Sequence, residues 1–334
     1  MIYPSEFLNK NLLGNSVEIL KNIPDNSIDL TVTSPPYDCL RTYKGKISDD
    51  ITYGDYSFPF EDIASELYRI TKKGGVVVWV VNDQVKNGGE TGTSFRMALY
   101  FQKIGFLIYD TMIYHKNGPP FPETSRYSQV FEYMFVFSKG KPKTVNIIKD
   151  RENRWAGTNN FGKPSNRTKD GVLKKSETYK VSEFGSRYNV WYILNGKGYT
   201  TKDDFAFQHP ALFPESLAED HILSWSNEGD IILDPMCGAG TTQKMALLNN
   251  RNFIGIDLNE EYISLSNQRI NNIIPYNINN QNPKTRFIIT REEMLKNRKQ
   301  KKEIINQNNS EINEIFEKKI NDTKDDNIDD FWLK

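Results

Sequence analysis

The run Ser34-Pro35-Pro36-Tyr37 follows directly on Leu30-Thr31-Val32-Thr33. The first four residues read as a buried strand bounded by a turn signal. Pro35 and Pro36 fix φ and lack an N–H, so the strand cannot continue through them. The result is a stiff loop at a strand's C-terminal edge, offering the Ser34 hydroxyl, backbone carbonyls and the flat ring of Tyr37. In open α/β sheets that edge is where ligands bind. Taken alone, the four residues are equally well explained as a Pro-Pro turn leaving a strand.

A second run, late in the chain, reads Asp234-Pro235-Met236-Cys237-Gly238-Ala239-Gly240-Thr241-Thr242. Ile231-Ile232-Leu233 before it is a short strand, and a helix follows through Met245 to Leu248. Phe253 to Leu258 is the next strand and ends on the acid Asp257. Gly238 and Gly240 let the backbone turn tightly and approach a ligand. Asp257 stands 19 residues after Gly238, at the tip of the adjacent strand, where a carboxylate can accept both hydroxyls of a ribose. The turn lacks a P-loop lysine, and its opening acid Asp234 would repel a pyrophosphate while suiting an ammonium or sulfonium group. This points to S-adenosyl-L-methionine rather than NAD. The competing reading is a helix-start turn whose glycines only allow close packing.

The elements that must position these runs are legible in outline. Asn15 to Leu20 reads as a helix capped by Asn15 or Ser16, and Ile28 to Thr33 as the opening strand. The stretch 38–56 lacks periodicity and reads as a polar segment able to close over a ligand. Phe60 to Ile70 has helical apolar spacing. Lys72-Lys73-Gly74-Gly75 ends that helix before a strand, Val76 to Val81, buried on both faces. Thr93 to Gly105 reads as a helix, and Phe106 to Tyr114 and Phe131 to Ser138 as strands. Gly118-Pro119-Pro120-Phe121 between them is a loop whose Gly118 lacks the side-chain acceptor that Ser34 has. Pro214 to Ser224 and Tyr262 to Ile270 complete the helices. Elements alternate as in a mostly parallel sheet with helices on both faces, a Rossmann-like α/β fold.

Composition sets bounds on class and compartment. Of 334 residues, 37% are hydrophobic and 26% charged, which suits a soluble protein with a full core. The longest apolar run is too short to span a membrane, and Met1 to Leu13 does not read as a signal peptide. Cys39 and Cys237 cannot build a disulfide framework, and three histidines leave little for a metal site, so no metal and a reducing cytoplasm are expected. Net charge is zero but unevenly spread. Residues 139–202 carry 15 Lys/Arg against 5 Asp/Glu, whereas 203–279 carry 3 against 11. The basic stretch interleaves cations with Trp155, Phe161, Tyr179, Phe184, Tyr188, Trp191, Tyr192 and Tyr199, a mixture suited to phosphates and bases. Most of these aromatics are expected to form a small core of their own. A solvated lysine-rich loop region is the bland alternative.

Five blocks, in order, resemble the DNA amino-methyltransferases of restriction–modification systems, in the permuted β group. Leu13-Gly14-Asn15 with Ile23-Pro24-Asp25-Asn26-Ser27-Ile28-Asp29-Leu30 is similar to that family's opening. Thr33-Ser34-Pro35-Pro36-Tyr37 matches its catalytic loop, in the serine form associated with N4-cytosine methylation. Tyr114-His115-Lys116 through Arg126 and Glu132-Tyr133 resembles the strand pair before the recognition region. His209-Pro210-Ala211-Leu212-Phe213-Pro214-Glu215 is similar to the methionine-side cofactor motif. Asp234 to Thr241 and Gly255-Ile256-Asp257 complete the set.

The resemblance implies catalytic roles for Ser34, Pro35, Pro36 and Tyr37. It implies cofactor contacts from Asn15, His209, Phe213, Glu215, Asp234, Pro235, Cys237, Gly238, Gly240, Thr241, Asp257 and Leu258. Asn15 departs from the family, which often has an adenine-contacting aspartate there; its amide oxygen can still accept from the adenine amine. Neither Cys39 nor Cys237 has the surroundings of an attacking thiolate, which excludes C5-cytosine chemistry. The expected reaction is methylation of cytosine N4 in flipped-out duplex DNA, with N6-adenine as the alternative. RNA or protein methylation and a non-catalytic nucleic-acid-binding module rank below. A cognate restriction endonuclease is a candidate partner, and no membrane association is expected. The expected organisation is a catalytic half (1–138), a target-recognition region (139–202), a cofactor half (203–279) and a polar extension (280–334).

Overall fold

The computed structural model describes residues 2–36, 58–118, 124–159, 165–175 and 179–273. Tyr37, Cys39, the 38–56 stretch, Phe161 and the C-terminal extension lie outside the described residues, as does most of the Gly118–Phe121 loop.

In chain order the principal elements are β1 (Lys10–Leu13), α1 (Ser16–Leu20), β2 (Ile28–Thr33), α2 (Phe60–Ile70), β3 (Thr71–Val81), α3 (Thr93–Lys103), β4 (Leu107–His115) and β5 (Phe131–Ser138). They continue as β6 (Val190–Tyr192), α4 (Glu215–Trp225), β7 (Ile231–Asp234), α5 (Thr241–Leu248), β8 (Asn252–Asp257) and α6 (Glu260–Asn271). One eight-stranded sheet runs in the order β1-β8-β7-β2-β3-β5-β4-β6. All pairings are parallel except those of β5, which runs against β3 and β4. The sheet is mostly parallel, as the order of elements implies, and Phe131–Ser138 is its exception: with no crossover helix among the described residues between them, the loop from β4 returns it as an antiparallel neighbour.

Helices cover both faces. Leu20, Ile63, Leu67, Trp79 and Phe101 belong to the core on one face, with α1, α2 and α3. Leu30, Val78, Leu217, Ile222, Met245 and Ile270 belong to the other, with α4, α5 and α6. Every residue from Val76 to Val81 is buried, as a central strand covered twice requires. That strand begins earlier than its apolar run, at Thr71, because a register shift beside Ile28/Leu30 accommodates the Lys-Lys-Gly-Gly stretch in the sheet.

The basic stretch is not a self-contained unit. Its last strand, β6, pairs with β4 and closes one end of the main sheet. Trp191 and Ile193 are buried in the main core. The remainder forms two short ribbons, Arg151–Glu152 with Phe184–Gly185 and Ser165–Arg167 with Leu173–Lys175. Trp155, Tyr179, Phe184, Tyr188 and Tyr199 are exposed, so these aromatics do not build the small core expected of them. Ribbons of two or three residues have no second apolar layer to bury them against.

Candidate active site at the carboxyl edge of the sheet

Because β1, β8, β7 and β2 are parallel neighbours, their C-terminal ends lie at one edge. This brings together Gly14-Asn15, Asp257-Leu258, the Asp234–Thr241 turn and Ser34-Pro35-Pro36, parts separated by up to 244 positions in the chain. The chain order jumps between β2 and β7, the topological switch point where doubly wound sheets hold ligands.

The β2 and β7 ends are bolted to each other. Thr33 Oγ1 donates to Asp234 Oδ1 at 2.7 Å, and the Met236 N–H donates to the same oxygen at 3.2 Å. Thr242, at the start of α5, donates to the Val32 carbonyl at 3.0 Å. Asp234 is only 1% exposed. Burial pushes its carboxyl up to about 7, against the pull of the Thr33, Met236 and Thr242 hydrogen bonds. Its charge is therefore spent inside the protein and not displayed to a cation, which corrects the electrostatic reading of that acid. Ser34 is half-buried and Pro35 buried directly beyond this joint.

The glycine turn is shaped by what lies on it. Gly238 has φ +47°, and a Cβ there would sit 2.6 Å from His209 Nε2. Gly240 has φ +76°, and its Cβ would collide with Ser266 Oγ. Only glycine fits either place. The His209 ring is buried, packs edge-on against Tyr262 with centroids 4.4 Å apart, and its Nδ1 accepts the Ala211 N–H at 3.2 Å. Cys237 is 5% exposed, its N–H donates to the Ile256 carbonyl at 2.8 Å, and burial pushes its thiol well up. It is a packing residue. The Pro235 carbonyl accepts from Ser16 Oγ.

Asp257 stands where strand and turn meet. Oδ2 accepts the Gly238 N–H and Oδ1 the Asn259 N–H, both at 2.9 Å. Burial raises its carboxyl, opposed by these bonds and the Leu258 N–H. The main chain of Asp257 accepts the Gly14 N–H at 2.9 Å, which brings Asn15 alongside. Asn15 is exposed and caps α1, its Oδ1 accepting the Val17 N–H at 2.9 Å. That bond uses one lone pair of the oxygen and fixes the amide beside the Asp257 strand end. Leu258 is 57% exposed beside it.

Glu215 is turned inward. Its Oε1 accepts from Thr201 Oγ1 at 2.7 Å, Lys244 Nζ at 2.8 Å and Arg269 Nη2 at 2.5 Å. Asp203 completes the cage through Lys244 and Arg269, which hold its carboxyl below the ordinary value although burial alone would raise it. Arg269, with a fully buried side chain, also donates to the Ala239 carbonyl and Thr241 Oγ1, underpinning the glycine turn. Phe213 is half-buried against the α4–α5 core. Arg269, Lys244, Asp203 and Thr33 were missed by sequence reasoning. The signal for Arg269 was available: it occupies the apolar stripe of α6 with Tyr262, Ser266 and Ile270, where a cation must be paired.

Among the described residues no cluster of three His, Cys, Asp or Glu could hold a metal, and no helix is long and apolar enough to cross a membrane. The parts fit a nucleoside: an oriented carboxylate, an exposed apolar neighbour, close-approach glycines and no lysine in the turn.

A profile of the DNA methylase family, the N6/N4 methyltransferases, matches residues 28–268. The chain belongs to this family. It is 55% identical over 255 residues to the orphan methyltransferase M.BamHII of Bacillus amyloliquefaciens, covering 76% of this chain and 92% of that one. Solved structures share the fold. The PvuII DNA methyltransferase (cytosine-N4-specific) has a TM-score of 0.56 at 20% identity, covering 80% of this chain and 92% of its own. A DNA modification methylase of Thermus thermophilus, solved in complex with S-adenosyl-L-methionine, has a TM-score of 0.52 at 23% identity, with coverages of 80% and 96%. Family membership makes this chain a DNA methyltransferase, with an S-adenosyl-L-methionine-dependent methyltransferase fold.

Proposed function

We propose that this methyltransferase transfers a methyl group from S-adenosyl-L-methionine to the exocyclic N4 of cytosine in duplex DNA. The observation that carries the choice of base is the hydroxyl residue Ser34 heading the Ser-Pro-Pro loop at the switch point. Cytosine N4 has a lone pair delocalised into the ring and is a poor nucleophile. Ser34 Oγ and the Pro35 carbonyl accept hydrogen bonds from its two hydrogens, draw it toward tetrahedral geometry and aim the lone pair. Positioning and electrostatics then carry the rate. Pro35 and Pro36 keep the acceptors fixed, and Tyr37 stacks on the flipped base.

The bound cofactor supplies an activated methyl on a sulfonium centre. Asp257 would accept the ribose hydroxyls, and Leu258 and Asn15 would hold the adenine. Gly238 and Gly240 give the main chain close approach, while His209, Phe213, Glu215, Asp234, Pro235, Cys237 and Thr241 support that surface from behind. In this reading the chain is of the permuted β group, since the catalytic strand β2 precedes the cofactor strand β7. The basic stretch 139–202 provides target recognition, supported by its exposed aromatics and by cations stacked on them: Arg151 lies 4.7 Å from the Tyr188 ring centroid and Arg154 5.3 Å from that of Trp155.

The test is to modify DNA with the purified chain, digest it to nucleosides and identify the methylated base. 4-Methylcytosine is expected; 6-methyladenine would assign the same site to the other amine. Ser34→Ala is expected to lower turnover at least tenfold with cofactor affinity unchanged, and a parental rate would refute the role given to Ser34.

A further inference from the structure

The loop between β4 and β5 has no part in the site described so far. It lies at the same edge as Ser34, because β4 runs in the direction of β2 and β3. Its described flanks are tethered at four places. The Lys116 N–H donates to the Val130 carbonyl at 2.7 Å, and the Asn195 N–H to Asn117 Oδ1 at 3.2 Å. Arg126 Nη2 donates to the Gly88 carbonyl at 2.9 Å. Gln129 Nε2 donates to Asn82 Oδ1 at 3.0 Å, and Asn82 directly follows β3, the neighbour of the catalytic strand.

Between the last two tethers stands Tyr127, which is 100% exposed. Side-chain hydrogen bonds from Arg126 and Gln129 therefore flank this ring in the chain, and folding covers none of the ring itself. An aromatic side chain gains stability from burial, and a fully hydrated one gains none. A ring displayed between two tethered side chains, at the edge where a base must be drawn from the duplex, has the form of a stacking platform. Extrusion of a base leaves a gap in the stack and costs a few kcal/mol. Proteins offset such gaps by inserting side chains between base steps, and every base offers a π-face to an aromatic ring.

We propose that Tyr127 stacks on a base of the duplex beside the flipped nucleotide, filling the gap from the β4–β5 loop. This rests on the DNA-methylating reading above and adds a DNA contact outside residues 139–202. Tyr127 carries no charge, so it acts through its ring and leaves the phosphate contacts to the cations.

The test compares the full-length parent with Tyr127→Ala, Tyr127→Phe and Tyr127→Trp on unmodified bacteriophage DNA. Tyr127→Ala is expected to raise the KM for DNA about tenfold, within the range of one lost base stack. Its salt dependence of DNA binding and its affinity for S-adenosylhomocysteine should be unchanged. Tyr127→Phe should stay within about twofold of the parent. The extra emission of Tyr127→Trp over the parent should be quenched by duplex DNA. An unchanged KM in Tyr127→Ala, or equal damage in Tyr127→Phe, would overturn the stacking role. So would slower sedimentation of Tyr127→Ala than of the parent, which would make the ring a self-contact. Should the parent transfer no methyl to DNA, the functional reading falls, and the quenching measurement alone still decides whether the ring meets bases.

Discussion

Thr33 Oγ1 donates to Asp234 Oδ1 across 2.7 Å, joining the last residue of the strand that carries the catalytic loop to the last residue of the strand that carries the glycine turn. A neutral amide can accept the same bond. The Asp234 carboxyl is raised by burial from 3.8 to about 7. A raised acid favours the fold fully below pH 4, and that contribution is lost as pH rises through 7. Asp234→Asn is therefore expected to match the parent near pH 4 and gain about 1–3 kcal/mol above pH 7, since moving one group's pKa by one is worth about 1.4 kcal/mol. Urea unfolding at pH 4.5 and pH 8 measures this; a loss of stability at both would show that the negative charge itself holds the joint.

His221 has the opposite slope. It is fully buried, accepts the Trp225 Nε1–H on Nδ1 at 3.2 Å and faces Met134 Sδ through Nε2 at 3.3 Å. Burial lowers it to about 3, with the nearby Arg187 cation adding to the effect. Arg187 is itself paired with Asp150 and Asp220. A depressed histidine stabilises fully above pH 6.5 and loses that contribution as pH falls toward 3. Between about pH 4 and 6.5 it opposes Asp234. The deficit of His221→Asn relative to the parent should shrink as pH falls through this window, while the advantage of Asp234→Asn grows as pH rises through it. Parallel curves for either variant and the parent would remove that residue from the pH dependence.

What could be read from sequence depended on whether the cause was local. Ile28–Thr33, Phe60–Ile70 and Phe131–Ser138 are bounded as their apolar patterns and turn residues dictate. Once the sheet is mostly parallel, Asp257 and the glycine turn must share an edge with the Ser34 loop. β1 escaped notice because Lys10-Asn11-Leu12-Leu13 is an edge strand with no alternation. β6 is three residues long inside a basic stretch, and its partner lies far back in the chain. The fixed position of Asn15 follows from a cap bond to Val17 rather than from residue type. The cage of Asp203, Glu215, Lys244 and Arg269 has no spacing to find, since each member comes from a different element.

The fit of His209 over Gly238 predicts a steric dependence. Gly238→Ala places a methyl 2.6 Å from His209 Nε2 on a backbone with φ +47°. Cofactor affinity, measured by calorimetry with S-adenosylhomocysteine, should fall at least tenfold. Combining it with His209→Ala removes the collision but not the left-handed φ, so part of the loss should return. Parental affinity in the single variant would mean that the turn yields freely and that its glycines are there for packing alone.

Arg269 carries the greatest structural weight in the cage. Its side chain is fully buried and bonds Glu215, Asp203, the Ala239 carbonyl and Thr241 Oγ1. Lys244 reaches both acids as well. In Arg269→Met one cation is left to answer two inward-facing carboxylates, and removing one partner of a buried ion pair costs on the order of 3–5 kcal/mol. Arg269→Lys keeps the charge but cannot span the forked contacts to turn and acids at once. Its stability loss should be smaller, while its cofactor affinity should fall, since the Ala239 and Thr241 contacts hold the turn. Equal stability losses in the two variants would show that fork geometry, rather than charge balance, is what the cage requires.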